Sequence, residues 1–234
     1  MDGKVTLPAL QAMKDNGRKI VAVVAWDTPT AQILDRAGID VVSVGDSVGM
    51  NLWGRASEAD VTLDEMLLVC AAVRRGTQRA LVSCDLPAGA AGVRAAQRLV
   101  DEGGAEIVKV EGTDAVAAIA GAGIPVFAQL DGASRGDDEL VAQAKRLEDA
   151  GATLLDFRNS GPDAGPKVVD AVSIPVLGGL GGGPWLDGRV RMIHRAIGYG
   201  ESTKDAYANV AQVTYDAITA YADDVRAARQ VRGG

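Results

Sequence analysis

The residues of this chain with the most chemical potential are acids that close short apolar runs. Asp46 and Ser47 follow one such run, Asp85 the next, and Lys109 and Glu111 a third. Gln129 and Asp131 lie at the end of another, and Asp156 and Arg158 at the end of the one after it. Trp26 and Asp27 close the first run, and the glycine-rich "GGLGGGP" (178–184) closes the seventh. A single acid at a strand end is ordinarily a turn former or a helix cap, which is the reading for Asp27. Three or four acids converging on one place repel one another unless a cation sits among them. The chain has one histidine, His194, so a multi-histidine metal site or proton relay is excluded by count. A metal must then sit on oxygen, which favours Mg²⁺ or a similar hard cation. Asp46 alone reads either as a turn former or as a ligand. The glycine cluster suits a phosphate cradle and a tight loop equally well.

The elements that must position these groups alternate along the chain. Eight β-branched runs read as strands: 19–25, 40–45, 79–84, 105–110, 124–130, 152–157, 173–179 and 188–193. Stretches of helical period lie between them, among them 28–38, 62–76, 93–104 and 137–151. Thr28 before Pro29 reads as a helix cap, Gly38 as a stop, and Thr62 with Glu65 as a capping box. Eight strands alternating with helices predict a (β/α)₈ TIM barrel, an α/β fold, over a doubly wound sheet, whose first turn carries a glycine-rich phosphate loop where "AWDTPTA" stands here. The 234 residues suit a single barrel domain over 1–234, with extra C-terminal helix in 202–230 expected to pack over the barrel or a neighbouring subunit. In a barrel, reactive groups collect at the C-terminal strand ends, where the acids lie.

Composition narrows the partners. A formal charge of −7 with scattered Lys and Arg excludes a nucleic-acid partner. Cys70 and Cys84 lack ligand-like spacing and read as free thiols of a reduced cytosol. The N-terminal stretch has no apolar core of a signal peptide, and no run is long enough to span a bilayer, so the expectation is a soluble, cytoplasmic protein.

The segments "VVSVGDSVGM", "VTLDEMLLVCAAVRRG", "CDLP", "VKVEG" and "SIPVLGGLGGGPWLDGRV", in that order, resemble the ketopantoate hydroxymethyltransferase family of pantothenate biosynthesis. The resemblance runs nearly end to end, from "VTLPALQAMK" to "AYADDVRAAR". It implies a barrel of the phosphoenolpyruvate-utilising type, a homo-oligomer, Mg²⁺, and transfer of a one-carbon unit from methylene-tetrahydrofolate to a small 2-oxo acid. Asp46 and Asp85 match the carboxylates that hold Mg²⁺, and Glu111 an acid that supports the metal. Ser47 and Lys109 match groups near the substrate carboxylate. With the resemblance, Asp46 tips toward ligand.

The departures carry as much information. Gln129 and Asp131 stand in a stretch where the family has Gly-His-Leu-Gly, and Val69 stands where it has another histidine. Arg158 falls where the family has the glutamate that acts as base on C3 of the substrate, and arginine stays protonated. The loops after Asp85 and Gln129 are shorter than the family's. Three readings follow. One is a hydroxymethyltransferase with a relocated base of raised pKa, Asp131 first and Asp156 second. Another is a different Mg²⁺-dependent reaction, such as C–C cleavage of a 2-oxo or dicarboxylic acid, with Arg158 clamping the extra carboxylate. The last is a non-catalytic binding paralogue. In each, Ser47, Lys109, Gln129 and Arg158 are the expected substrate contacts, with Arg158 orienting an anionic group or holding Asp156. The bland readings cover the rest: His194 in a structural hydrogen bond, Trp53 and Trp185 as pocket wall or packing, Asp187 as a turn, and Met50, Met66 and Met192 as core filler.

Overall fold

Eight parallel strands pair in chain order and close into a barrel in this computed structural model: β1 (Ile20–Val24), β2 (Val41–Val44), β3 (Leu81–Asp85), β4 (Ile107–Glu111), β5 (Val126–Asp131), β6 (Leu154–Arg158), β7 (Val176–Gly178) and β8 (Gly188–Met192). The helices are α1 (Leu7–Asp15), α2 (Thr28–Arg36), α3 (Val48–Asn51), α4 (Leu63–Gly76), α5 (Val93–Asp101), α6 (Thr113–Gly121), α7 (Asp137–Asp149), α8 (Gly161–Ala171), α9 (Ile193–Ala196) and α10 (Val210–Arg226). The structure describes residues 3–90, 92–133, 135–179, 181–200 and 204–231. Leu180 of the glycine-rich stretch and positions 202 and 203 of the tail lie outside them. The chain groups into two compact units, Met1–Arg191 and Met192–Gly234. The first holds the barrel; the second holds α9 and α10, the latter being the helix expected in the tail.

All eight strand runs form strands, and β2, β3 and β7 are buried along their whole length, as strands under a layer of helices are. Phe127, Phe157, Ile107, Leu154 and Leu81 are fully buried between them. Helix caps decide where the surrounding helices start. Thr62 and Glu65 form the expected capping box of α4. The cap of α2 is Asp27 and not Thr28: the Asp27 carboxylate accepts the Thr30 amide at 2.8 Å. The Thr28 hydroxyl is thereby free to donate to the Ala72 carbonyl of α4 at 2.7 Å, joining the two helices. Gly76 lets them approach, since a Cβ there would fall 2.5 Å from the Thr28 carbonyl.

At the N-terminal face, charged side chains tie the strand starts and so set where each strand ends. Asp35 of α2 accepts the amides of Gln78, Arg79 and Ala80 on the approach to β3. Glu106 joins Lys4, Arg74 and the Val82 amide. Asp187 is more than a turn former: it accepts Lys14 Nζ at 2.8 Å and the Val176 amide at 2.9 Å, pinning α1 to β7. Met66 is buried as expected, Met192 is half-buried, and Met50 corrects the expectation, being 49% exposed on α3 beyond the strand layer. Cys70 and Cys84 are buried free thiols. Among the described residues no helix is long and apolar enough to cross a membrane.

Burial alone would raise the Asp35 pKa, but the amides of Ala80, Gln78 and Arg79 outweigh it and hold the carboxyl below its ordinary value. A depressed acid stabilises the fold above its unfolded pKa, and that stability is lost as pH falls through the folded value. Asp35→Asn is expected to cost about 1 kcal/mol at pH 7, the scale of a lost charge-assisted contact. The gap to wild type should begin to narrow below about pH 4, the unfolded carboxylate value, and close only below the lower folded value. Urea unfolding at pH 7 and at steps from about pH 4 downward measures both; a gap that does not narrow as pH falls contradicts the assignment.

Candidate active site

Strand register stacks the polar residues at the C-terminal end of the barrel. Asp85 pairs with Lys109 across β3 and β4, and Glu111 with Gln129 across β4 and β5. Gln129 pairs with Asp156, and Asp131 with Arg158, across β5 and β6. Side chains alternate along a strand, so Lys109 and Glu111 share one face, as do Gln129 and Asp131, and Asp156 and Arg158. Sequence order thus becomes a floor and a rim.

The floor is built on Lys109. Its Nζ lies 3.2 Å from Asp85 Oδ1 and 3.2 Å from Asp156 Oδ2, and 5.3 Å from the centre of the Phe127 ring. All three charged residues are buried. Burial by itself would lower the lysine pKa, but the two carboxylates prevail and keep the ammonium charged well beyond its ordinary range. The neighbouring turn brings in a third acid. Trp26 Nε1 donates to the Gly45 carbonyl at 3.0 Å and fixes the end of β2. Below it the Ser43 and Ser83 hydroxyls meet at 2.8 Å. Asp46 follows, its backbone amide donating to the Asp85 carboxylate, and Ser47 caps α3.

One ammonium facing three carboxylates leaves surplus negative charge. Burial, then the nearby Asp85 and Glu58 charges, push Asp46 up to about 7 against the pull of Lys109. Burial likewise raises Asp85, opposed by Lys109 and the Asp46 amide. Asp85 Oδ1 is closed to solvent and, though at ion-pair distance from Lys109, accepts no hydrogen bond. Two oxygen donors that resist ionising side by side, one with an orphaned oxygen, fit a hard divalent cation completed by water and substrate oxygens. Asp46 and Asp85 are the side chains that could hold it. Glu111 is not brought to them. Its carboxylate meets Arg158 Nη2 at 2.6 Å and is largely exposed, and among the described residues no three acids, cysteines or histidines are grouped to hold a metal.

The rim is a second charged group. Arg158 lies on Glu111 and 4.0 Å from Asp131 Oδ2, so it holds these two acids and not Asp156 as expected. Asp131 accepts Asn159 Nδ2 and the Ala133 amide, each at 2.9 Å. The Asn159 bond, with the Ala133 amide next, lowers the Asp131 pKa. That corrects the expectation of a raised pKa at Asp131: the group is exposed to solvent and Oδ1 accepts two hydrogen bonds, which weakens it as a base. Gln129 is half-buried beside Asp156.

Asn159 is the site residue that sequence reasoning passed over. Its φ of 52° is left-handed, and its backbone is crowded by two glycines. A Cβ on Gly132 would fall 2.4 Å from the Asn159 carbonyl oxygen, and one on Gly181 2.9 Å from its Cα. The loops after β5, β6 and β7 therefore meet on it. The signal was "RNSG" directly after a strand, since asparagine tolerates this conformation. Trp185 Nε1 lies 3.1 Å from Ser160 Oγ, so it packs behind the β6 loop. Trp53 is 37% exposed, with the Arg55 guanidinium 4.9 Å from its ring. His194 opens α9, its ring 5.2 Å from that of Tyr199.

Comparison with known proteins gives a consistent picture. The sequence profile of ketopantoate hydroxymethyltransferase matches residues 4–135 and 129–230. The 3-methyl-2-oxobutanoate hydroxymethyltransferase of Moorella thermoacetica is 38% identical over 253 aligned positions, covering 95% of this chain and 94% of its own. The enzyme of the same description from Salinibacter ruber is 35% identical, covering 95% of both. An alignment longer than the 234-residue chain means that these relatives carry segments absent here. Among solved structures, a 2,3-dimethylmalate lyase of the PEP mutase/isocitrate lyase superfamily superposes with a TM-score of 0.67 at 18% identity, covering 95% of this chain and 85% of its own. A phosphonopyruvate hydrolase in complex with oxalate and Mg²⁺ gives 0.66 at 17% identity, covering 95% and 88%. These two likenesses are of fold, and the fold is the expected (β/α)₈ barrel.

A carboxyl raised from 3.8 to about 7 binds its proton more tightly in the folded state. The metal-free protein should therefore lose stability as pH rises from about 4 to about 7 and level off above. Asp46→Asn should remove that slope. Urea midpoints at pH 5, 6, 7 and 8 in a chelator decide it; parallel curves for wild type and variant would refute the assignment.

Proposed function

This chain belongs to the ketopantoate hydroxymethyltransferase family, and we propose that it forms the enolate of a small 2-oxo acid and joins C3 to a one-carbon unit. The observation that carries the proposal is the Asp46, Asp85 and Lys109 floor at the barrel mouth, in a chain end to end with hydroxymethyltransferases. Asp46 and Asp85 are proposed to hold Mg²⁺. When bound, the cation supplies Lewis acidity toward the carbonyl of a 2-oxo acid. A barrel of the same fold, the phosphonopyruvate hydrolase, takes Mg²⁺ together with oxalate, which supports the choice of metal and of a neighbouring carboxylate ligand.

The chain's own groups do the rest. Lys109, held charged, offers the substrate carboxylate its remaining N–H, and the Ser47 hydroxyl beside the α3 start offers a second donor. A desolvated carboxylate needs paired donors of this kind. Gln129, half-buried on the next strand, is placed to hydrogen-bond the side of the substrate. Removal of the C3 proton leaves its electron pair between C2 and C3 while the carbonyl pair moves to oxygen. C3 then bonds to the one-carbon unit as that unit's bonds to the carrier nitrogens break and water supplies the hydroxyl, with methylene-tetrahydrofolate the proposed carrier and tetrahydrofolate the leaving group. Arg158 has no part as a base; paired with Glu111 and Asp131, it closes the mouth with a cation. That same cation supports a second reading, in which the enolate arises by C–C cleavage of a 2-oxo or dicarboxylic acid. The proposal includes a homo-oligomeric, cytoplasmic enzyme.

The test is exchange of the C3 proton of 2-oxoisovalerate in D₂O with Mg²⁺, followed by NMR, and then turnover with methylene-tetrahydrofolate. Exchange and turnover are expected together. Exchange without turnover, combined with Mg²⁺-dependent cleavage of a dicarboxylic 2-oxo acid, would establish the second reading. Asp46→Ala with Asp85→Ala should abolish Mg²⁺ binding by calorimetry, and Lys109→Ala should lower kcat/KM by about 100-fold, the scale of a lost charged contact. A double variant that binds Mg²⁺ like wild type sinks the metal assignment.

A further inference from the structure

We infer that Asp156 is the catalytic residue that accepts the C3 proton; the inference rests on the proposed enolate chemistry and names the base that this chemistry lacks. The other charged groups on the β2 to β6 strand ends are engaged otherwise. Arg158 and Lys109 are cations bound to carboxylates. Glu111 is exposed and engaged by Arg158. Asp131 has one oxygen occupied by Asn159 and the Ala133 amide, and the other facing Arg158. Asp46 and Asp85 are the pair suited to a cation. The histidine, His194, lies in α9 with its ring 5.2 Å from that of Tyr199. Asp156 remains.

Its geometry is that of a group kept for use. The residue is 3% exposed, on the inward face of β6, one pleat below Arg158 and in register with Gln129. Oδ2 lies 3.2 Å from Lys109 Nζ. Oδ1 is closed to solvent and accepts no hydrogen bond. A buried carboxylate oxygen with no donor keeps its lone pairs available to accept a proton. A 2-oxo acid whose carboxylate is bound by Lys109 brings its C3–H toward that oxygen, because Lys109 ties both groups to the same point. In the step, the C3–H bond breaks, its electron pair becomes the C2–C3 π bond, the carbonyl pair moves to oxygen, and the proton goes to Asp156 Oδ1. The reverse step returns a solvent-derived proton to C3.

The experiment is C3 exchange in D₂O by the full chain with Mg²⁺ and 2-oxoisovalerate. Asp156→Asn should slow exchange by at least about 100-fold, the lower range for loss of a general base. Calorimetric binding of Mg²⁺ and the 2-oxo acid should stay within about fivefold, less than 1.4 kcal/mol. Asp156→Ala should recover exchange on addition of formate, which replaces a missing carboxylate and does nothing for a purely structural defect. Asp131→Asn should slow exchange far less than Asp156→Asn does. Exchange by Asp156→Asn at the wild-type rate overturns the inference, as does a folded Asp156→Ala that formate leaves inert. If Asp156→Asn fails to fold, the formate arm and Asp156→Glu, which restores a carboxylate, decide in its place. A wild type that exchanges no 2-oxo acid overturns the functional reading itself, so the two failures are distinct.

Discussion

A single buried ammonium organises this molecule's chemistry. Lys109 reaches from β4 to acids on β3 and β6, and three strands of the barrel share its charge. In a low-dielectric interior an unpaired lysine would shed its proton, and an unpaired aspartate would take one up. Here the two acids hold the lysine charged, but the count does not balance, because Asp46 adds a third acid next to Asp85. The imbalance is the useful part. It gives the floor surplus negative charge, which favours a cation over an anion there.

The rim obeys the opposite rule. Arg158 finds its counter-charges in Glu111 and Asp131, and those acids are solvated and hydrogen-bonded. Charge in the rim is local and screened; charge in the floor is buried and felt at a distance. The two layers are separated by one pleat, which is why Asp156 and Arg158, two residues apart in sequence, have such different surroundings. Relatives 33–38% identical share the chain nearly end to end.

The barrel was legible because its signal is repeated eight times: each apolar run is short, β-branched and followed by a helical stretch. Strand-end position alone also identified Asp46, Asp85, Lys109, Asp156 and Arg158 as neighbours of one mouth. What the sequence could not supply was pairing. Spacing along β6 does not say whether Arg158 turns to Asp156 or across to Glu111; barrel shear decides that. The fate of Asp131 turned on Asn159, a neighbour whose left-handed backbone aims its amide at the carboxylate. The cap of α2 moved by one residue because Asp27 has an acceptor to offer and Thr28 has a carbonyl of its own to reach.

Asn159 also has a consequence for how this mouth can change over generations. Three loops converge on its backbone, with Gly132 and Gly181 pressed against it and Gly161 bonded to Gly181. Barrel enzymes usually diversify by altering one loop while leaving the others alone. Here an added side chain in the loop after β5 or β7 collides with the loop after β6, so a tolerated change in one demands a matching change in another. The three loops form one inheritable unit, and new specificities on this side of the barrel must arise by coordinated replacement.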